Sequence, residues 1–217
     1  MTHDFPRARE RMIATQLRGR GIFHERVLAA FAEIPRHFFV DPALVDQAYA
    51  DRSLPIGFGQ TITQPFMVAR MLELLDPQPD QRILEIGTGS GYQAALLSRL
   101  AQTVFTMERV AALAESAGRA LARLEITNVI QRVGDGSTGW ISNAPFDGIV
   151  VAAGAPEAPR SLLTQLRDGG RLVIPTGSRS GQTLTVIERR GEEFAPALQF
   201  PCAFVPLVGK EGWREGS

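Results

Sequence analysis

Residues 82–91 read Arg82-Ile83-Leu84-Glu85-Ile86-Gly87-Thr88-Gly89-Ser90-Gly91, and Tyr92-Gln93-Ala94-Ala95-Leu96-Leu97 follows. A short apolar run that stops in three alternate glycines and restarts with helical periodicity specifies a buried strand, a tight turn and a helix start. Glycine suits such a turn because it reaches φ > 0 and, having no Cβ, lets a ligand approach the backbone closely. The free N–H groups at the start of the following helix then face that ligand. In outline this is a nucleotide-binding turn.

From residue 82 onward strand and helix patterns alternate. Strands are expected near 82–87, 103–108, 128–133, 146–151, 170–175, 183–189 and 199–207, and helices near 92–101, 110–124 and 159–166. Such alternation implies βαβ units, a parallel sheet and right-handed crossovers. After Gly177 the helices stop while two strands remain, so an antiparallel addition is expected at one edge, entered through Ser178-Arg179-Ser180-Gly181. The expected fold class is therefore α/β: a doubly wound, mostly parallel seven-stranded sheet with an N-terminal helical extension and an antiparallel C-terminal edge. Residues 1–80 supply the N-terminal helices and a substrate loop, 81–217 the binding core, and the two pack as one structural unit.

Upstream of the core, residues 4–19 and 24–33 read as helices, with Pro35 ending the second and Phe38-Phe39-Val40 as an apolar anchor. The first 36 residues carry seven arginines, Arg7, Arg9, Arg11, Arg18, Arg20, Arg26 and Arg36, against four acids. Spread along helices, these read as a solvated face. Leu54 to Pro65 has two glycines, two prolines and little apolar periodicity, which predicts an ordered loop rich in hydrogen-bonding groups. It suits a substrate clamp, and also a plain connection in which Thr63 caps the helix that starts at Pro65. In that helix, Arg70 and Glu73 share a face.

Composition narrows the partners. Lys plus Arg and Asp plus Glu number 23 each, so no overall field draws the chain to nucleic acid or to a membrane surface. A single cysteine excludes an internal disulfide and a cysteine-rich metal site, and favours a reducing compartment. Cys202, in a strand-like run, reads as an inert buried thiol. No apolar run reaches the length of a membrane span, and a soluble, cytoplasmic protein is expected.

In a doubly wound sheet the ligand lies outside the carboxyl ends of the strands, here Glu85 to Gly91, Glu108, Asp135-Gly136 and Val151-Ala152-Ala153-Gly154. Glu108, 21 residues after Gly87, is placed to accept from two ribose hydroxyls, and Asp135 with Gly136 to hold an adenine edge. A nicotinamide dinucleotide fits poorly, because its third glycine would stand at Tyr92 and here falls one place early, at Gly91. Glu85 would also repel a pyrophosphate but attract a cation. S-adenosylmethionine carries an ammonium, a sulfonium and no phosphate, and is the favoured cofactor.

Glu85-Ile86-Gly87-Thr88-Gly89-Ser90-Gly91 resembles the first motif of class I S-adenosylmethionine-dependent methyltransferases. Pro55 to Pro65, Leu84 to Gln93, Val133-Gly134-Asp135-Gly136 and Phe204-Val205-Pro206-Leu207-Val208 extend the resemblance, from about Arg11 to Trp213, to the protein-L-isoaspartate (D-aspartate) O-methyltransferase family. One position departs, since the family usually carries serine where this chain has Thr63. Threonine keeps the hydroxyl but adds a methyl and stiffens χ1.

The resemblance implies methyl transfer from S-adenosyl-L-methionine to the free carboxylate of L-isoaspartyl and D-aspartyl residues in damaged proteins and peptides. The product is S-adenosyl-L-homocysteine and no metal takes part; a monomer is expected, though the sequence itself carries no signal of oligomeric state. It implies cofactor contacts at Glu85, Gly87, Thr88, Gly89, Gly91, Glu108, Asp135 and Gly136. Substrate contacts fall at Gln60, Thr61, Ile62, Val151, Ala152 and Ala153, with Thr63 hydrogen-bonding near the reacting atoms. A carboxylate with an ordinary pKa of ~4 is already ionised at neutral pH, so no general base is needed. His3, His24 and His37 accordingly read as packing or surface residues.

Ala152-Ala153-Gly154-Ala155-Pro156 stands where adenine methyltransferases of nucleic acids place an Asn/Asp-Pro-Pro-aromatic tetrapeptide, which argues against a flipped base. A small-molecule carboxyl methyltransferase, or a cofactor-binding module with weakened catalysis, stays open as an alternative.

Overall fold

The computed structural model describes residues 4–215, with the backbone alone over 197–199; His3 lies outside the described residues. Helix α1 (Phe5–Arg11) is capped by Asp4, whose carboxylate accepts from Arg7 N at 3.1 Å. It widens to π geometry over Met12–Leu17 and closes in a 3-10 turn, Arg18–Arg20. Helix α2 (Glu25–Glu33) buries Val27, Leu28, Ala30 and Phe31. Glu73 secures its start by accepting from Phe23 N and His24 N, while Arg70 pairs with the other Glu73 oxygen at 2.5 Å. The expected Arg70–Glu73 face thus clamps one helix to the next.

The solvated-arginine expectation fails at one end. Arg7, Arg11, Arg18 and Arg20 are exposed, but Arg36 is fully buried beneath the following segment.

Leu54 to Pro65 is more regular than its composition predicts. Strands β1 (Leu54–Gly57) and β2 (Gln60–Ile62) form an antiparallel hairpin pairing Leu54 with Ile62 and Gly57 with Gln60. Its two-residue tip, Phe58-Gly59, has φ of 54° and 69°, the positive pair that lets a tight turn follow the twist of its strands. Helix α3 (Pro65–Leu75) begins after Gln64, which makes no side-chain cap, so Thr63 does not take the expected capping role.

The core follows as β3 (Arg82–Ile86), α4 (Tyr92–Leu97), β4 (Thr103–Glu108), α5 (Ala111–Arg123), β5 (Val129–Val133), β6 (Phe146–Val151), α6 (Arg160–Thr164), β7 (Leu166–Ser178), β8 (Gly181–Arg190) and β9 (Glu193–Cys202). Seven strands lie in the order β5-β4-β3-β6-β7-β8-β9. The five from β5 to β7 run parallel, and β8 turns antiparallel to both neighbours. The sheet is thus the mixed, mostly parallel one expected, with the antiparallel edge. Side chains alternate across it: Ile83, Val104, Val150 and Val173 enter one apolar cluster, and Leu84, Phe105, Ile149 and Leu172 the other. The chain leaves β3 toward β5 and returns on the opposite side to β6, so a crevice opens where the connections diverge.

The last strand departs from expectation. It ends at Cys202, and residues 204–208 cross to the tip of β6, where Gly154 N donates to Val205 O (2.7 Å) and Leu207 N to Gly154 O (2.8 Å).

Candidate functional site

The crevice is a cleft of about 870 Å³, counted out to the solvent at its mouth. Its floor is the glycine turn. Gly87 N and Thr88 N both reach Met107 O, at 2.8 and 3.2 Å, which ties the turn to the end of β4. Gly91 opens α4 at φ 87°, and a Cβ there would stand 3.1 Å from the Ala117 methyl, so the third glycine serves the close approach of α4 to α5. The hairpin lies over the turn, with the Ile56 side chain 3.4 Å from where a Cβ on Gly89 would sit.

Of the residues anticipated from sequence, Gln60, Thr61, Ile62, Thr63, Gly87, Thr88, Gly89, Glu108, Gly136, Ala152 and Ala153 line this cleft together. Glu85, Gly91, Asp135 and Val151 stand outside its lining. Gly91 and Val151 are buried behind it. Asp135 is turned the other way. Its Oδ1 accepts from Ser137 N and Ser137 Oγ, at 2.9 and 2.7 Å, and its Oδ2 from Lys210 N at 2.8 Å. Partial burial works against ionisation there, but the Lys210 amide and the two Ser137 donors outweigh it and hold the carboxyl below its usual range. The carboxylate that sequence pattern assigns to an adenine edge therefore anchors the C-terminal segment in this structure.

Two acids set the electrostatics. Glu108 Oε2 accepts from Gly89 N and Oε1 from Val110 N, both at 2.9 Å, which fixes the carboxylate at the rim. Glu85 is fully buried. Thr106 Oγ1 donates to its Oε2 at 2.5 Å, and the Thr88 hydroxyl, 2.6 Å from Thr106 Oγ1, is left to donate in turn. Its Oε1 has no hydrogen-bond partner, and neither has the buried Gln93 Nε2. Burial pushes the Glu85 carboxyl up to about 8, the Thr106 hydrogen bond tempers that rise, and the nearby Glu108 charge adds to it. Of the cleft's lining only Arg109 is basic, and it is half exposed and paired with Glu215. A phosphate would meet the Glu108 carboxylate here, with Glu85 buried behind the lining, whereas a cation suits both acids.

A second, shallower depression, lined by residues such as Asp51, Ser53, Met67 and Phe204, meets the cleft at Thr61, Thr63, Ala152 and Val205. Thr63 is half-buried at that junction, and its hydroxyl has no hydrogen-bond partner among the described residues. No histidine lines either depression. His24 caps α2 and meets Asp76 at 3.1 Å, and His37 stacks on Phe5 at 4.0 Å. Among the described residues no group of three or more metal-ligating side chains gathers anywhere. Cys202 is half-buried, with its thiol pushed up to about 11 by burial.

Sequence reasoning missed part of the lining. Met107, Arg109 and Val110 flank Glu108, and extending the strand-end rule by two residues would have found them. Val205 to Val208 reach the cleft by crossing to the tip of β6, which no local periodicity announces.

Known proteins resemble this chain along almost all of its length. The model of the family described as protein-L-isoaspartate(D-aspartate) O-methyltransferase matches residues 7–212. The protein-L-isoaspartate O-methyltransferase of Methanoregula boonei is 51% identical over 216 residues, covering 99% of this chain and 100% of that one. Protein-L-isoaspartate O-methyltransferase 1 of Syntrophobacter fumaroxidans is 51% identical, covering 97% and 99%. A solved structure of a protein-L-isoaspartate O-methyltransferase superposes with a TM-score of 0.84 at 30% identity, over 94% of this chain and 67% of that one. A Plasmodium falciparum structure in complex with S-adenosyl-L-homocysteine gives 0.80 at 24% identity, a likeness of fold. A family match across residues 7–212, joined to relatives half identical from end to end, establishes that the chain belongs to the protein-L-isoaspartate(D-aspartate) O-methyltransferase family.

Proposed function

We propose that this chain transfers the methyl group of S-adenosyl-L-methionine to the free carboxylate of L-isoaspartyl, and also D-aspartyl, residues in damaged proteins and peptides. The observation that carries this reading is the 51% identity, over 99% of the chain, to a relative named for that activity. The cleft suits the cofactor. Among the described residues the buried Glu85 carboxyl is faced by Thr106 and the Gln93 side chain and by no cation, and a positively charged ligand would favour its ionised form. Glu108 is held by two backbone amides with lone pairs left to accept ribose hydroxyls. Gly87, Thr88 and Gly89 keep the floor low, Gly136 lets the far end pack closely on Ile86, where a Cβ would clash with its side chain, and Gly91 sets the approach of α4 from behind. Asp135 supports the same end by anchoring Lys210.

When bound, the cofactor supplies a methyl group activated by a positively charged sulfur. This chain's own task is alignment and exclusion of water. The substrate carboxylate arrives already ionised, so a cleft without histidine is chemically sufficient. It reaches the cleft through the second depression, whose mouth is open enough for an extended backbone, and meets the cofactor where Thr61, Thr63, Ala152 and Val205 join the two. Gln60 and Ile62 on β2, with Ala153 beside Ala152 and Val151 beneath, shape that junction. The free Thr63 hydroxyl is the donor closest to the transfer.

No helix among the described residues is long and apolar enough to cross a membrane. The same reading has the enzyme working as a monomer in the cytoplasm, which light scattering and fractionation would test. For the activity, the protein is incubated with methyl-labelled cofactor and two synthetic peptides differing only in an aspartyl or isoaspartyl linkage. Label on the isoaspartyl peptide alone is expected, and equal or absent labelling of the two sinks the assignment.

A further inference from the structure

Arg36 is the largest fully buried side chain among the described residues, and no acid is hydrogen-bonded to it. Its Nε donates to Ala48 O and its Nη2 to Thr63 O, both at 2.8 Å, while Nη1 has no partner. The guanidinium carbon lies 4.9 Å from the centre of the Tyr92 ring. Two carbonyls, the Tyr92 side chain and a more distant Asp51 surround the cation. Burying it there without a hydrogen-bonded acid is costly, and an apolar side chain of similar volume would fill the space at less expense. Burial lowers its pKa to about 10, so it remains charged at neutral pH. What a guanidinium does that an apolar chain does not is hold groups from separate segments in one rigid plane.

Those segments are the two walls of the site. Thr63 ends the hairpin, and Tyr92 opens the helix that follows the glycine turn; both line the cleft. Tyr92 is itself fully buried, with its hydroxyl unpartnered. We propose that Arg36 is a positioning residue for methyl transfer. By gripping the Thr63 carbonyl while stacked on Tyr92, it sets the Thr63 hydroxyl at one fixed distance from the floor of the cleft. Arg36 touches neither substrate nor cofactor and acts through Thr63. The inference rests on the functional reading above and assigns it a residue that composition placed on a solvated surface.

The test is a double-mutant cycle on Arg36→Met and Thr63→Ala, reading kcat and KM for the isoaspartyl peptide and the Kd for S-adenosyl-L-homocysteine by calorimetry. Arg36→Met is expected to lower kcat by about tenfold or more, and by no more than Thr63→Ala does, since it acts by misplacing that same hydroxyl. Its Kd should stay within roughly threefold, and in the Thr63→Ala background the further loss in kcat should also be within roughly threefold, since the positioned group is already gone. Losses that multiply, or a Kd that rises in step with kcat, overturn the proposal. If Arg36→Met does not fold, Arg36→Lys carries the test: it keeps the charge but not the planar two-carbonyl grip, and is expected to lose about tenfold or more in kcat. A lysine variant at wild-type kcat overturns the proposal equally. Wild-type methylation of the peptide is the control. Its absence overturns the functional reading and this inference with it, whereas multiplicative losses in an active enzyme overturn this inference alone.

Discussion

Glu85 shows the conflict that a buried acid poses at a single position. In the folded chain its carboxyl is pushed up to about 8, while in the unfolded chain it titrates near the ordinary glutamate value. The folded state therefore binds the proton more tightly. The resulting stabilisation is fully present below the unfolded pKa and is lost as pH rises through the folded one, so it fades between about pH 5 and about pH 8. Thr106, Thr88, Gln93 and Glu108 are the groups that face it, and only Glu108 among them carries charge. Glu85→Gln should match the wild type in thermal midpoint near pH 5 and exceed it near pH 8. A constant gap between the two across that range would show that the carboxyl keeps an ordinary pKa. At Thr63, the hydroxyl and not the extra methyl is expected to matter. A hydrogen bond to a charged group contributes about 1.5–3 kcal/mol, so Thr63→Ala should cost roughly tenfold or more in kcat, and Thr63→Ser little. Equal turnover by all three forms would remove that hydroxyl from the reaction.

At the scale of elements, legibility followed locality. The glycine turn, β3, β4 and β6 stood where the residues put them, because a buried parallel strand is a continuous apolar run and a turn names its own glycines. The hairpin is illegible as strand in the sequence because three- and four-residue strands carrying Pro55 and Gly57 are too short to show alternation. Its pairing comes from the Phe58-Gly59 tip, where a bulky residue in a left-handed conformation is a poor guide. The final strand was misplaced because Phe204-Val205-Pro206-Leu207-Val208 is apolar enough to read as strand, yet it pairs with the tip of β6. Asp135 has the same ambiguity, since a strand-end acid looks the same in sequence whether it meets a ligand or a distant amide, and here it accepts from Lys210 N. That hydrogen bond predicts that Asp135→Ala loosens the C-terminal segment. Trypsin should then cut after the exposed Lys210 faster than in the wild type, as followed by mass spectrometry. An unchanged cleavage rate would mean that the other anchors hold the segment without Asp135: Trp213, which donates to Gly154 O at 3.0 Å, and Glu211, which meets Ser161 and Ser137.

Across the whole molecule, charge balance and topology act together. With no net charge, nothing pulls polyanions toward the cleft, and the local acids alone select what enters it. The two apolar clusters, one on each face of the sheet, leave the crevice between the β3 and β6 connections as the place where backbone ends stay unpaired and available. If the cationic cofactor of the proposed reading settles against Glu85, buried behind the cleft floor, its binding becomes a proton-release reaction. Near pH 7 the empty protein holds Glu85 mostly protonated, and an ammonium-bearing ligand settling beside it favours the ionised form. A proton, or part of one, then passes to the buffer for each ligand bound. The heat of binding S-adenosyl-L-homocysteine should therefore vary linearly with the ionisation enthalpy of the buffer, with a positive slope that vanishes in Glu85→Gln. The same heat in buffers of very different ionisation enthalpy would break the link between that carboxyl and the ligand.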